Sequence, residues 1–459
     1  MVAAPSRSTI YRTVWRWHFY AGLFVLPFLI TLALSGTLYL FKPQIERWEE
    51  RDFQGLPVAA SVPPSRQVDA ALAAFPGALF LDYRLPEKAR DAAMVRLALP
   101  EGNRARQVFV APDGEVIGNL APDGRIMAIV KTIHSQLLIG KAGNWLVELA
   151  SCWAILLILS GLFLWWPRGG NVAGVLWPRL MRGRRVFWRD LHAVTGFWIS
   201  VLALALLLTG LPWTDVWGSA FKTLRAEMGW VTGSSPWAIE EQKPQAVGDG
   251  HAGHGAHHPP EPVISDGGAF SSSVFDTMVR QARAERLAFP AIVTPPGAPG
   301  RFGMPGEMVW TIRSDAANVP LQQTLRFDLD GRAQLSHERF RDSHVIDRVV
   351  GYGIAWHQGQ LFGPINQAIG VLTAAGLITL AASGFVLWRR RKPDDALGAP
   401  PAKVPVRMGG VVVILLMLAA LLPLLAASLV ALWLFERLAL PHLPRFAQWL
   451  GVPTRQVPA

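Results

Sequence analysis

Cysteine is almost absent from this 459-residue chain: Cys152 is the only one, and it lies inside an apolar run. That excludes a disulfide framework, a cysteine-based zinc site and an iron–sulfur cluster. The Cys-x-x-Cys-His signature of covalently attached haem is missing as well. Charge is sparse, at 17% of residues, against 51% hydrophobic residues. A soluble chain of this length is seldom so apolar, so membrane spans are expected first. No Gly-x-Gly-x-x-Gly follows a strand pattern and no Walker motif occurs, so a Rossmann-type dinucleotide site is not expected. The formal charge of +11 raises nucleic acid as a partner, but its placement argues against it. The Lys and Arg residues gather in short stretches beside apolar runs, as membrane topology requires.

Five stretches are long enough to span: 15–41, 144–167, 190–213, 363–388 and 409–436. Each exceeds the roughly 20 residues needed to cross about 30 Å of hydrocarbon. The first follows a basic start (Arg7, Arg12, Arg16). A signal peptide has a shorter apolar core, so this stretch reads as an uncleaved helix. Pro27, Pro212 and Pro423 are tolerable within spans, because neighbouring helices can satisfy the freed carbonyls. Arg168, Arg179, Arg182, Arg184, Arg185 and Arg189 lie between the second and third spans. Arg389, Arg390, Arg391, Lys392, Lys403 and Arg407 follow the fourth. With the basic N-terminus, these stretches are expected in the cytoplasm of a bacterial inner-membrane protein. The long inserts 43–133 and 215–350 are then periplasmic.

Six segments follow. Residues 1–42 are the cytoplasmic start and first span, 43–133 an outer domain, and 134–214 the second and third spans with their basic loop. Residues 215–350 are a second outer domain, and 351–392 hold the fourth span. Residues 393–459 hold a cytoplasmic loop, a fifth span and a periplasmic C-terminus. Both inserts read as small α+β domains. Each has a helical stretch (66–75; 271–286) ahead of alternating runs that turn at Asp113-Gly114 or Asp330-Gly331, a strong hairpin signal. Residues 231–268, rich in Gly, Pro and His, read as disordered. Within them His251, His254, His257 and His258 form a run able to bind divalent metal loosely, or a solvated segment with no role.

The chain repeats itself. The first span reads His18-Phe-Tyr-Ala-Gly22 and then Ser35-Gly36. The third reads His192-Ala-Val-Thr-Gly196 and then Thr209-Gly210. The second begins from His134 and runs through Gly140 to Ser160-Gly161 and Trp165. The fourth begins from His357 and runs through Gly363 to Ser383-Gly384 and Trp388. The offsets agree at every landmark. Topology puts His18 and His192 at one level, on the cytoplasmic side, and His134 and His357 at the outer level.

Ionisable residues in a membrane are costly and usually functional. Two imidazoles from facing helices are what a six-coordinate haem iron needs, and a bundle core is where such cofactors sit. Two b-type haems are therefore expected, one between His18 and His192 and one between His134 and His357. Gly22 and Gly196 lie one turn past their histidines, where a bulky side chain would meet a porphyrin. Gly36 and Gly210 lie eighteen residues on, about 27 Å along a helix, near the outer haem. Gly161 and Gly384 reach the inner level. Arg16, Arg189, Lys131 and Arg348 flank the histidines as candidate propionate partners. A metal-transport or proton-relay set of histidines is the alternative.

These motifs resemble the PepSY-associated transmembrane family. Those that carry the likeness are Trp-Arg-Trp-His18-Phe-Tyr-Ala-Gly22-Leu, Leu-Ser35-Gly36, Leu-Ser160-Gly-Leu-Phe-Leu-Trp165-Trp-Pro-Arg168, Leu-His192-Ala-Val-Thr-Gly196, and His357 to Trp388. The resemblance implies an internally duplicated α-helical membrane protein with two α+β PepSY-like outer domains. Some members resemble periplasmic ferrisiderophore reductases. That implies reduction of siderophore-bound Fe(III) in the periplasm with release of Fe(II), fed by an external donor, a quinol or a cytoplasmic reductase. The residues alone imply only haem and electron transfer across the bilayer, with lipid as a partner and no nucleic acid. Two other readings belong to different classes: a non-catalytic PepSY module that binds a peptide or partner protein, and a metal permease using the His-rich loop.

Overall fold

A computed structural model describes residues 7–57, 60–100, 104–167, 173–230, 271–299, 306–400 and 409–452. The expected disorder at 231–268 and the histidines at 251–258 fall outside those residues. In chain order the helices and strands are α1 (Arg7–Leu40), α2 (Lys42–Glu49), α3 (Pro64–Ala74), β1 (Leu79–Arg84), β2 (Ala93–Ala98), β3 (Ala105–Val110), β4 (Val116–Leu120), α4 (Ile126–Gln136), α5 (Lys141–Trp165), α6 (Arg184–Gly210), α7 (Val216–Glu227), α8 (Ser272–Ala284), β5 (Ala291–Thr294), β6 (Trp310–Ser314), β7 (Gln323–Phe327), β8 (Gln334–Arg339), α9 (Val345–His357), α10 (Pro364–Arg391), α11 (Gly409–Leu421), α12 (Pro423–Leu434) and α13 (Pro444–Leu450). They form two compact units. One holds Phe41–Ile129 and Arg225–Phe362, and the other holds the rest.

The helical unit contains five helices long and apolar enough to cross a membrane: Thr9–Leu40, Lys141–Trp165, Arg184–Trp213, Pro364–Arg391 and Pro423–His442. Four of them close a ring, α1 against α5, α5 against α6, α6 against α10 and α10 against α1. Small residues let the backbones approach. A Cβ on Gly376 would lie 2.7 Å from Ile199, and one on Gly370 would lie 2.6 Å from Leu40. Gln367 donates to the Leu40 carbonyl at 3.0 Å. On α5, Glu148 is fully buried yet satisfied, because it accepts from the backbone N–H groups of Val216 and Trp217. A carboxylate at these first two positions of α7 answers donors that the helix itself leaves unpaired.

The second and fourth spans begin at Lys141 and Pro364, near the expected 144 and 363 and after their histidines. His134 lies on the short helix α4 and His357 ends α9, each followed by a break. The breaks close on Gly140 (φ 66°, ψ −139°) and Gly363 (φ 58°, ψ −133°), a conformation open essentially to glycine alone. The fifth apolar run is also two helices, because Pro423 has no N–H to give and the chain bends at Leu422 (φ −127°, ψ 88°). Leu422 and Leu425 pack with Cys152, Ile155 and Leu211, near the C-terminal end of α6. From there the chain returns to the end of the bundle where α1 starts. Tyr20 donates to the Leu450 carbonyl, and Arg16 donates to those of Gly451 and Pro400. This corrects the expectation of a C-terminus on the far side: α13 lies at the same end as His18.

The other unit carries one antiparallel sheet in the order β4-β3-β2-β1-β5-β6-β7-β8. Each insert supplies a helix and a four-stranded meander, and the meanders join edge to edge where Tyr83 pairs with Val293. The inserts thus share one sheet rather than building one each. Helices α3 and α8 cover one face over a core that includes Tyr83, Val95, Phe275, Trp310, Ile312 and Leu325. Ser65 at the start of α3 donates through both its N–H and its hydroxyl to Asp276 of α8. Both expected Asp-Gly turns are present, with Gly114 and Gly331 at positive φ. Off the helix-covered face, burial pushes the Glu50 carboxyl up, but the Arg84 and Arg125 guanidiniums outweigh it and hold it below its ordinary value.

A fully desolvated ion pair joins Arg225 to Asp347 at 2.8 Å, with side chains only 3% and 1% exposed. Removing one partner strands the other charge, at a cost of roughly 3–5 kcal/mol. Asp347→Ala should therefore lower the unfolding midpoint of the protein clearly. An unchanged midpoint in a denaturant titration would show that the pair is not desolvated in solution.

Candidate haem-ligand site

Four buried or half-buried histidines were singled out by pattern, and the helical unit brings three of them into one kind of setting. His18 on α1 places Nδ1 2.9 Å from the Ser160 hydroxyl of α5. His192 on α6 places Nδ1 3.0 Å from the Ser383 hydroxyl of α10. His134 on α4 places Nδ1 3.0 Å from the Ser35 hydroxyl of α1. His357, the last residue of α9, is half-buried.

The direction of these bonds follows from the inventory of donors. A serine hydroxyl has one proton. That of Ser35 goes to the Thr31 carbonyl at 2.7 Å, and that of Ser383 to the Thr379 carbonyl at 2.6 Å. Ser160 donates to the Leu157 carbonyl at 3.1 Å. Each hydroxyl is thus left to accept from the imidazole. For His192 the Leu380 carbonyl, 3.2 Å from Nδ1, can only accept. For His18 and His192 the network therefore favours the proton on Nδ1, the tautomer whose Nε2 can bind a metal.

The His18 and His192 rings have centroids 6.4 Å apart and planes at 86°. Two imidazoles sharing one metal through facing nitrogens, each about 2.0 Å from it and about 1.1 Å from its own ring centre, would hold their centroids about 6.2 Å apart. By that spacing, His18 and His192 would be the residues to hold one iron between them. Among the described residues, no group of three or more His, Cys, Asp or Glu side chains is placed to hold a metal ion. A haem iron does not need one, since the porphyrin supplies four ligands and the protein two.

The glycines divide by role. A Cβ on Gly36 would lie 3.1 Å from His134 Cε1, one on Gly161 3.2 Å from His18 Cε1, and one on Gly384 3.4 Å from His192 Cε1. These three seat imidazole rings directly. Gly22 and Gly196 instead face Leu157 at 3.8 Å and Leu380 at 3.5 Å, ordinary packing against the neighbouring helix. Gly210 is the last residue of α6.

Two of the expected propionate partners are already engaged by protein. Arg16 is spent on backbone carbonyls. Arg189 pairs with Asp190, which also receives the Arg179 guanidinium and backbone N–H. Asp190 is buried two residues before His192 and ties the basic loop to the start of α6. Pattern reading passed over it, as it passed over Ser35, Ser160 and Ser383 as imidazole partners. The signal for the serines was present: a hydroxyl residue precedes the landmark glycine in all four spans.

A ring of apolar helices long enough to cross a bilayer and a separate antiparallel sheet unit define a multi-pass membrane protein. The family model described as the PepSY-associated TM region matches residues 15–391, and the chain belongs to that family. No curated protein matches the chain.

Proposed function

We propose that this chain is a di-haem oxidoreductase of the bacterial inner membrane that reduces a ferric siderophore in the periplasm and releases Fe(II). The observation that carries the reading is the His18–His192 pair. The two rings are spaced for one iron, and each is oriented by a serine on the adjacent helix. His134, seated against Ser35 and Gly36 in the same way, would hold the second haem, with His357 as its partner by the repeat. When bound, a b-type haem supplies a one-electron Fe(III)/Fe(II) couple. The chain's own residues fix the imidazoles, exclude water and set the two sites at different depths. Basic loops after α5 and α10 favour a cytoplasmic start for α1 and a periplasmic sheet unit. The sheet unit, in its two helix-plus-meander halves, would be a pair of fused PepSY domains produced by duplication. Hard oxygen donors of a siderophore hold Fe(III) far better than Fe(II), so one electron delivered at the outer surface releases the metal. The donor would be a quinol or a cytoplasmic reductase.

An optical spectrum tests the reading most directly. Purified protein should be red, with a Soret band that shifts on dithionite, and a pyridine haemochrome assay should give two b haems per chain. Colourless protein would sink the proposal and leave a peptide-binding module or a permease.

The serines supply a finer test. Loss of an outer-shell partner to a metal-bound histidine typically costs about 10–100-fold in affinity. Ser383→Ala should weaken retention of the His18–His192 haem by that much and leave the other haem in place. Equal loss of both in a haem-titration assay would argue for general misfolding instead.

A further inference from the structure

One cleft in the sheet unit has no part in holding the histidines. It opens where β7 and β8 meet the turns that flank them. Gln322, Gln323, Arg339, Phe340, Arg341 and Tyr352 line it, and its volume is about 340 Å³. Its charge is one-sided. The Arg339 guanidinium lies against the His337 ring at 3.3 Å, and no carboxylate among the described residues pairs with it. Arg341 has only a long, exposed contact of 3.7 Å to its neighbour Asp342. Two arginines in the lining, with Gln322 and Gln323 beside them in the fold, suit an anion that carries carboxylates, because the planar guanidinium fork matches that group bidentately.

Tyr352 also lines it, 49% exposed and set edge-on against Phe340 at 5.2 Å. Tyr352 stands on α9, the helix that ends in His357. His357 follows Tyr352 by five positions, about 7.5 Å along the helix axis. A ligand resting on Tyr352 is thus held by the same rigid element that carries the outer candidate haem ligand.

We propose that this cleft is the docking site for the metal chelate, and that it selects an anionic, carboxylate-bearing chelate over a cationic trihydroxamate one. The proposal rests on the reductase reading for its substrate but is a statement about binding alone.

Gallium(III) chelates test it, because gallium keeps the shape and charge of the ferric complex and cannot be reduced. Full-length protein in detergent is titrated calorimetrically with gallium citrate and with the gallium complex of a linear trihydroxamate. Gallium citrate should bind the more tightly. Charge-assisted hydrogen bonds are worth about 1.5–3 kcal/mol, or roughly 10–100-fold. Arg339→Ala with Arg341→Ala should therefore weaken gallium citrate by at least about tenfold and change the trihydroxamate little. Arg339→Lys with Arg341→Lys should restore part of the loss, which a misfolded variant would not do. The proposal is overturned if the two chelates bind alike, if neither binds, or if the alanine variant holds gallium citrate as wild type does. Failure of the haem reading would appear separately, in the optical spectrum of the same preparation.

Discussion

His18→Ala and His192→Ala should each reduce the haem count from two to one, and both should remove the same spectral species. Their rings are 6.4 Å apart, and Ser160 and Ser383 hold each ring from behind. Removing either imidazole would leave the proposed site with one of its two candidate protein ligands. The effect should be complete for that site, because the groups held against the two rings are the Ser160 and Ser383 hydroxyls, which do not replace an imidazole. Pyridine haemochrome quantitation with low-temperature spectra reads the result. If His18→Ala removed one species and His192→Ala the other, the two would not share an iron, and the pairing by level would fail.

The second large effect concerns the outer site. His134→Ala should abolish chelate reduction by proteoliposomes of uniform orientation, by more than the roughly 100-fold that loss of even a supporting group can cost. The spectral species lost with His18→Ala should still respond to its donor in that variant. The reason is distance: a chelate on the periplasmic side cannot reach the level of His18 through about 30 Å of hydrocarbon. A His134→Ala protein that reduced the chelate at the wild-type rate would take the outer site off the path, and the transmembrane relay would have to be given up.

Much of this was legible in the residues, for a definite reason. Span length, basic loops and the recurrence of His, Gly and Ser-Gly at fixed offsets are one-dimensional signals. The bundle ring of α1, α5, α6 and α10 translates them into space almost directly. The Asp113-Gly114 and Asp330-Gly331 turns survive for the same reason, since a hairpin is local.

What the sequence did not disclose is long-range. Nothing in either insert announces that Tyr83 pairs with Val293 and fuses two meanders into one sheet, because edge pairing depends on which edges meet. The partners of buried charges, Asp190 with Arg179 or Asp347 with Arg225, are likewise invisible until the fold closes. Pro423 was visible and was misjudged. A proline inside an apolar run can be absorbed by neighbouring helices, but here the run divides and the chain turns back. The glycines mark a subtler limit. Their spacing matched them to the histidines, yet only the fold separates Gly161, which seats an imidazole, from Gly22, which packs against Leu157.

The return of the chain at Leu422 has a consequence for biosynthesis. Tyr20 and Arg16 flank His18, and their hydrogen-bond acceptors, Leu450 and Gly451, lie 430 and 435 residues further along. A segment inserted among the first cannot complete its surroundings until translation is nearly over. Contacts of such sequence separation form slowly and leave early intermediates incomplete. A ribosome that stalls before α13 thus leaves Tyr20 and Arg16, on the first helix, without these acceptors.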